Sequence, residues 1–326
     1  MNFSNFLQCL CFHHRVMENN QTTVTDFILL GFLVSPEMKM FFFGLFFLFY
    51  TFALLGNGVI LGLIYLDSRL HTPMYFFLSQ LAIVDITYAS NTVPQMLANL
   101  LYPAKPISFA GCIMQTYLFL TLAHVECLLL VMMSYDRYVA ICHPLRYTLI
   151  MNRGMCIALA ITSWVGGNLL ALVHVILLLR LPFCGPREIN HFFCELLSVL
   201  KLACADIWLN KLVTFIACIF IVVVPLSLVL ISYTHILAAI LRIHSREGRK
   251  KAFSTCSSHL CVVGLFFGNA IILYMTPNSR NFEEQHKILF LFYSFFNPTL
   301  NPLIYSLRNA EVKGAFRRLL RKERLV

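Results

Sequence analysis

Charged residues are scarce in this chain of 326 residues. Only 12% of the residues are Asp, Glu, Lys or Arg, whereas 59% are hydrophobic. A soluble protein of this length would carry about 25% charged residues. The composition therefore argues against a soluble protein.

The missing charges leave seven long stretches that contain one charged residue or none. They lie between residues 39 and 67, 69 and 105, 105 and 136, 153 and 180, 211 and 242, 251 and 280, and 287 and 308. Each is long enough for a helix that crosses a bilayer, which needs roughly 20 mostly apolar residues. Buried helices of a soluble protein do not account for seven such stretches. The sequence predicts an all-α membrane protein, with a seven-transmembrane helix bundle in residues 40–308.

Lys and Arg are distributed unevenly between the two ends of this bundle. The side that includes the last segment has 16 Lys and Arg against five acids, and the other side has nine against eight. Positive loops face the cytoplasm. We therefore expect a multi-pass protein of the plasma membrane, with residues 1–39 as an extracellular segment and residues 309–326 as a cytoplasmic basic tail. Contact with anionic membrane lipid explains the excess of positive charge, and nucleic acid is not needed as a partner.

The chain also lacks a recognisable signal peptide, because residues 1–16 have no clean apolar core and no cleavage site. Asn2 and Asn20 begin glycosylation triplets on the side expected to be extracellular.

Cysteines on the extracellular side can oxidise, whereas those in the spans or facing the cytosol are expected to behave as small hydrophobic residues. The extracellular set between the spans is Cys112, Cys184, Cys194 and Cys204. Four cysteines allow three pairings, and sequence alone leaves all three open. Cys9 and Cys11 remain outside this set.

Two acids lie within the predicted spans, Asp85 and Glu126. A charge at the bilayer centre costs roughly 2.5–3.5 kcal/mol on insertion scales. The pair suggests an ion or proton site that includes Asn301, with sodium as the only metal expected. A purely structural polar network is the alternative.

Several short motifs occur in a fixed order along the spans. They are Gly56-Asn57, LSQLAIVD ending at Asp85, Asp136-Arg137-Tyr138, Trp164, Pro225 followed by Tyr233, and NPLIY at Asn301–Tyr305. Together they resemble the rhodopsin-like G-protein-coupled receptors. Four longer stretches, Leu70–Ala82, Met133–Tyr147, Lys251–Leu260 and Asn301–Asn309, resemble the olfactory receptor branch of that family.

The resemblance implies a switch at the cytoplasmic end of the bundle. In that family the arginine of the Asp-Arg-Tyr triplet is held by its neighbouring acid at rest and is released when a helix moves outward. The residues expected to carry this role are Asp136, Arg137, Tyr138, Tyr233, Asn301 and Tyr305. The implied partner is a stimulatory, olfactory-type G protein that raises cyclic AMP.

The resemblance also implies a ligand site inside the bundle, towards its extracellular end. The expected ligand-binding residues are Phe119, Leu120, Ala123, His124, Cys127, Ala217, Cys218, Ile221, Phe267, Ile271, Tyr274, Leu291 and Ser294. Most of them are apolar and none is charged, which favours a small, neutral, mostly apolar odorant.

The resemblance further selects the disulfides Cys112–Cys194 and Cys184–Cys204. It implies a beginning close to Met17, so that residues 1–16 are an upstream extension and Asn20 is the glycosylation site; Asn2 is a second site if the extension is present. Residues 310–321 are expected to form a short amphipathic helix.

Two functions compete at this point. The first is an odorant receptor without enzymatic activity and without a cofactor other than the sodium ion. The second is an ion-coupled transporter or channel that uses Asp85 and Glu126 as an ion path. Transport would require further polar residues along a continuous route and internal repeats, and neither is evident in the sequence.

Overall fold

The computed structural model describes residues 25–32, 35–102, 106–184, 186–242, 244–275, 283–308 and 310–323. The predicted glycosylation sites Asn2 and Asn20, with Cys9, Cys11 and Met17, lie outside these residues. Seven long helices form a bundle, which confirms the predicted fold class. They are α1 (Pro36–Leu66), α2 (Pro73–Leu101), α3 (Phe109–Cys142), α4 (Arg153–Leu179), α5 (Trp208–Leu241), α6 (Arg246–Met275) and α7 (283–308), and α8 (Ala310–Glu323) follows them.

Five of these helices are long and apolar enough to cross a membrane by length and composition alone: α1, α3, α4, α5 and a stretch of α6 from Cys256 to Leu273. The other two helices, α2 and α7, contain buried polar side chains such as Asp85 and Asn301. These side chains lower the mean hydropathy of the two helices. Helix α3 is the central one, since 67% of its most apolar stretch is buried against other helices, compared with 22% in α1.

The helix starts follow from the local sequence. Pro36 and Pro73 occupy the first turn of α1 and α2, where a missing N–H group costs nothing. Ser108 caps α3 by accepting a hydrogen bond from the Gly111 N–H group at 3.1 Å. Asn152 caps α4 in the same way through the N–H group of Met155, at 2.9 Å.

Two helices contain a π-helical turn. In α5 the turn covers Ile219–Val223 and ends two residues before Pro225, and in α7 it covers Phe292–Phe296 and ends two residues before Pro298. Such turns interrupt the regular ladder of backbone hydrogen bonds and are frequent at functional sites. Both interruptions lie where the sequence places prolines within a span.

The structure adds a small sheet that the all-α prediction missed. Strand β1 (Asp26–Leu29) is central, antiparallel to β2 (Pro106–Ser108) and parallel to β3 (Glu188–Ile189). Phe27 and Leu29 of β1 are buried beneath it. The three strands come from segments far apart in the chain and have two to four residues each. They are too short for an alternation of apolar and polar residues that would predict them.

The sheet lies at the end of the bundle that carries both disulfides, which we call the disulfide end; the opposite end, with α8, is the tail end. Lys287 at the start of α7 is buried and donates to Asn190 Oδ1 at 2.7 Å and to the Gly31 carbonyl at 3.3 Å. Gly31 has a φ of 60°, a left-handed conformation that glycine adopts without strain. The segment before α1 is thereby tied to α7.

Candidate functional site

A cavity opens between α3, α4, α5 and α6, below the disulfide end. The centre of a water molecule can move within a volume of about 60 Å³. Its lining residues are Leu120, Ala123, His124, His174, Leu196, Thr214, Ala217, Cys218, Ile221, Val222, Phe266 and Ala270. We call this space the α3–α6 cavity. It is mostly apolar with a few polar groups, as sites for small molecules usually are.

Six of the thirteen predicted ligand residues line this cavity: Leu120, Ala123, His124, Ala217, Cys218 and Ile221. Phe119 packs instead against Phe193 and Tyr88, with ring centroids 4.7 and 5.0 Å away. Phe267, Ile271, Leu291 and Ser294 are not among the lining residues, and the side chain of Tyr274 lies outside the described residues.

Cys127 lies beside the cavity, and its thiol donates a hydrogen bond of 2.7 Å to the carbonyl of Ile221. Ile221 belongs to the π-helical turn of α5. The bond therefore joins α3 to the interrupted part of α5 at the level of the cavity.

Six lining residues were not predicted: His174, Leu196, Thr214, Val222, Phe266 and Ala270. In α6 the prediction is one residue out of register, because Phe266 and Ala270 face the cavity where Phe267 and Ile271 were expected. A shift of one residue rotates a side chain by about 100° around a helix. His174 carries a signal in the sequence, since it is the only histidine within the charge-free stretch of α4.

The segment around Cys194, which covers the cavity on the side of the disulfide end, is fixed to α3. Disulfide Cys112–Cys194 ties the segment before α5 to the start of α3. Gln115 Oε1 accepts from the Cys194 N–H group at 2.8 Å, and the Thr116 hydroxyl donates to the Cys194 carbonyl at 2.8 Å. Leu196, two residues on, is thereby placed over the cavity.

A short helix, Leu196–Leu200, follows that anchor and is called the loop helix here. Glu195 caps it by accepting from the N–H groups of Leu197 and Ser198, at 2.8 and 2.6 Å. Burial raises the pKa of the Glu195 carboxyl above its usual value, and these two hydrogen bonds oppose that shift. The second disulfide, Cys184–Cys204, closes the same segment. The two disulfides, Cys112–Cys194 and Cys184–Cys204, are the pairings that the resemblance implies.

A polar cluster lies deeper in the bundle, between α1, α2, α3 and α7. The Asn301 amide donates to both oxygens of Asp85, at 3.2 and 3.0 Å. Asn57 donates to the carbonyl of Pro298 at 2.9 Å. Glu126 Oε1 and the side-chain amide of Asn297 are buried without a hydrogen-bond partner. The predicted residues Asp85, Glu126 and Asn301 are therefore all buried in one cluster. The unpartnered groups of Glu126 and Asn297 are available to an ion, a proton or water.

At the tail end, Asp136 accepts a hydrogen bond of 2.8 Å from the Tyr147 hydroxyl. Within the described residues its carboxylate makes no ion pair with Arg137, the partner expected from the resemblance. Arg137 is only 7% exposed, and its Nε has no hydrogen-bond partner. Burial and the nearby Asp136 raise the pKa of Tyr147, so its hydroxyl keeps the proton that it donates. Tyr138 contacts His143, with the hydroxyl 3.2 Å from Nε2.

A buried histidine connects three helices near this arginine. The Tyr233 hydroxyl of α5 lies 2.8 Å from His259 Nδ1 of α6, and His259 Nε2 lies 3.2 Å from the Leu130 carbonyl of α3. A carbonyl only accepts, so Nε2 carries the hydrogen and Tyr233 donates to Nδ1. Tyr305 of α7 is buried with an unpartnered hydroxyl. His259 was not among the predicted switch residues, although it stands in the quoted stretch Lys251–Leu260.

Helix α8 is docked against the tail end. Arg318 forms an ion pair with Asp67, with Nε 2.9 Å from Oδ2, and the Tyr75 hydroxyl donates to Glu311 at 2.9 Å. The hydrogen bond from Arg318 lowers the pKa of Asp67. Val312 and Ala315 are buried on the inner face of α8, as an amphipathic helix requires.

Comparison with known proteins agrees with this architecture. The olfactory receptor family profile matches residues 46–323. The chain is 75% identical to human olfactory receptor 2A1/2A42 and 71% identical to human olfactory receptor 2A5, over 94% of this chain and 99% of each relative. It is 63% identical to mouse olfactory receptor 2A7 over the same shares. This family consists of receptors and not of enzymes. The chain is a multi-pass membrane protein that belongs to the olfactory receptor family.

Proposed function

We propose that this protein is an odorant-gated receptor of the plasma membrane that activates a stimulatory, olfactory-type G protein and raises cyclic AMP. The observation that supports this best is the α3–α6 cavity, which is enclosed by four helices and has no charged residue in its lining. A small, neutral, mostly apolar volatile molecule fits such a lining. Family membership favours this function over the ion-coupled transporter or channel.

The cavity is connected to the tail end through α6. Phe266 lines the cavity and His259 lies seven residues before it on the same helix, or about 10 Å along the axis. We take the described arrangement as the resting one, in which the Tyr233–His259 bond holds α5 and α6 together. A ligand that displaces Phe266 would favour outward movement of α6 and separation of that pair. Arg137, Tyr233 and Tyr305 would then become available to the G protein.

The polar cluster suits the proposed ion or proton site. Asp85 and Asn301 are already joined, while Glu126 retains an unpartnered oxygen. A sodium ion would find the oxygen ligands that hard cations prefer, and a shared proton would keep one of the two carboxyls neutral. Within the described residues there is no group of three or more His, Cys, Asp or Glu side chains that could hold another metal.

The proposed topology places residues 1–39 outside the cell, with Asn20 glycosylated, and Asn2 as well where residues 1–16 are present. The receptor domain is residues 40–308, and the basic tail 309–326 lies on the cytoplasmic membrane surface. The Lys and Arg residues of α8 support contact with anionic lipid, because they lie on a helix docked beside the bundle.

The direct test compares wild type with Arg137→Ala in cells that co-express the olfactory-type Gα. The receptors carry a surface tag, are matched in surface level, and are challenged with pools of neutral volatiles while cyclic AMP is measured. Arg187→Ala serves as the control, since Arg187 is exposed at the disulfide end. We expect a response from wild type and Arg187→Ala and none from Arg137→Ala. A full response from Arg137→Ala would contradict the role given to this arginine.

A further inference from the structure

The α3–α6 cavity has few polar groups in its lining. They belong to two histidines and one threonine, His124, His174 and Thr214, together with the soft thiol of Cys218. We propose that His174 and Thr214 present hydrogen-bond acceptors to the cavity, so that the receptor selects small neutral alcohols. This inference rests on the proposed odorant-binding function and adds the chemical class of the ligand.

The hydrogen on the His174 ring is placed by its backbone contact. His174 Nδ1 lies 2.8 Å from the carbonyl oxygen of Leu170. A carbonyl oxygen can only accept, so Nδ1 carries the hydrogen. A neutral imidazole has one N–H group, which leaves Nε2 as a free acceptor. Histidine with its ordinary pKa of about 6.5 is mostly neutral at pH 7.4.

His124 lies on the facing helix and also lines the cavity. Its ring centroid is 6.0 Å from that of His174. The side chain is only 7% exposed, and its Nδ1 is buried with no hydrogen-bond partner. His124 therefore shares the wall of the cavity with His174.

Thr214 adds a second acceptor. Its hydroxyl donates its only hydrogen to the Asn210 carbonyl at 2.8 Å, and the lone pairs of the oxygen remain. Cys218 offers a weak donor. Among the described residues that line the cavity there is no Lys, Arg, Asp, Glu, Tyr or Trp. The space therefore offers acceptors on His174 and Thr214 and has no charged donor.

This arrangement discriminates between ligands of the same size. An alcohol brings an O–H group that satisfies one of the buried acceptors. An ether or aldehyde brings only another acceptor, so the acceptors on His174 and Thr214 stay unpaired, which is costly. Sites built to hydrogen-bond one group reject analogues that lack it. An amine would be charged at neutral pH, and the lining offers no carboxylate to balance that charge.

The experiment uses three probes of equal chain size: n-hexanol, its isomer methyl n-pentyl ether, and n-hexanal. Each is tested in the cyclic AMP assay on the full receptor. Each is also tested for direct binding to purified receptor in nanodiscs by saturation-transfer NMR, which does not depend on a G protein. We expect n-hexanol to be at least ~10-fold more potent than the ether.

Thr214→Val removes one acceptor and keeps the shape of the side chain. We expect it to reduce the preference for n-hexanol over the ether by ~5-fold. Thr162→Val is the matched control, because Thr162 makes the same type of bond to a carbonyl four residues earlier but is exposed on the outer face of α4. The control is expected to keep the preference of wild type.

The outcomes separate this inference from the proposed function. Preference for the ether or the aldehyde in both assays would overturn the alcohol selectivity and leave the odorant receptor function standing. Stronger binding of n-hexanol than of the ether in nanodiscs, without cyclic AMP, would support the selectivity and contradict the proposed coupling. If none of the three probes binds while other volatiles raise cyclic AMP, the inference is overturned and the proposed function holds.

Discussion

The Tyr233–His259 hydrogen bond should hold the receptor in its resting state. The bond is 2.8 Å long, buried, and joins α5 to α6, while the other ring nitrogen contacts the Leu130 carbonyl of α3. His259→Leu removes both contacts and leaves the Tyr233 hydroxyl buried and unpaired. A buried polar group left unpaired costs about 1–3 kcal/mol.

That cost falls on the resting state, so the equilibrium should move towards the active state. A change of about 1–3 kcal/mol corresponds to an increase of roughly 5-fold to 150-fold in the active-to-resting ratio. We therefore expect His259→Leu to raise basal cyclic AMP without ligand, at matched surface level. The control is Tyr305→Phe, which removes a buried hydroxyl that has no partner in this arrangement.

The control should not raise basal cyclic AMP, because it removes an unpaired buried hydroxyl from the resting state instead of creating one. It should reduce the ligand-driven response, because Tyr305 is proposed to act in the active state. Unchanged or lower basal activity in His259→Leu, in a receptor that still reaches the surface, would refute the reasoning. A double-mutant cycle with Tyr233→Phe should give a coupling energy of about 1 kcal/mol between the two side chains.

Three further predictions concern stability. Gly167→Ala should destabilise the receptor by about 1–3 kcal/mol, seen as a lower melting temperature in detergent, because a Cβ there would lie 2.6 Å from Val125 Cγ2; an unchanged melting temperature would contradict the close approach of α3 and α4. Cys112→Ser should cost about 2–5 kcal/mol and abolish surface expression, whereas Cys261→Ser, at an exposed free cysteine, should not. The pKa of Asp67 is lowered by Arg318, so the ion pair contributes above the ordinary value of about 4 and is lost as pH falls below it. A spin-label distance between α8 and α1 should therefore lengthen in acid, and a distance that stays constant would show that α8 is held in another way.

The fold was predictable from the sequence because the bilayer constrains it strongly. A helix in lipid must satisfy its own backbone and exclude charge, so each span appears as a long stretch poor in charged residues. The small sheet was not predictable, because β1 is stable only when paired with β2 and β3, which lie about 80 and 160 residues further along the chain. The sequence of residues 26–29 alone does not indicate a strand with these two distant partners.

The candidate site was predictable in part. Helical spacing on one face of α3 led to Leu120 and His124, and the position within the span led to Ala217 and Ile221 of α5; all four line the cavity. In the half of α6 nearer the disulfide end, residues 260–275, almost every residue is apolar. The spacing alone therefore does not define which face turns inward, and Phe266 was missed. Leu196 was missed for another reason: it reaches the cavity only because Cys194 is anchored to α3.

The central claim is that a ligand in the α3–α6 cavity gates the receptor. The most direct measurement is odorant-evoked cyclic AMP in Ala123→Phe, which fills the cavity, against Ala158→Phe, which places the same ring on the exposed face of α4. Both variants are compared with wild type at matched surface level, with adenylyl cyclase activated directly as a reference. We expect no response from Ala123→Phe and a wild-type response from Ala158→Phe. A wild-type response from Ala123→Phe would contradict gating of the receptor from this cavity.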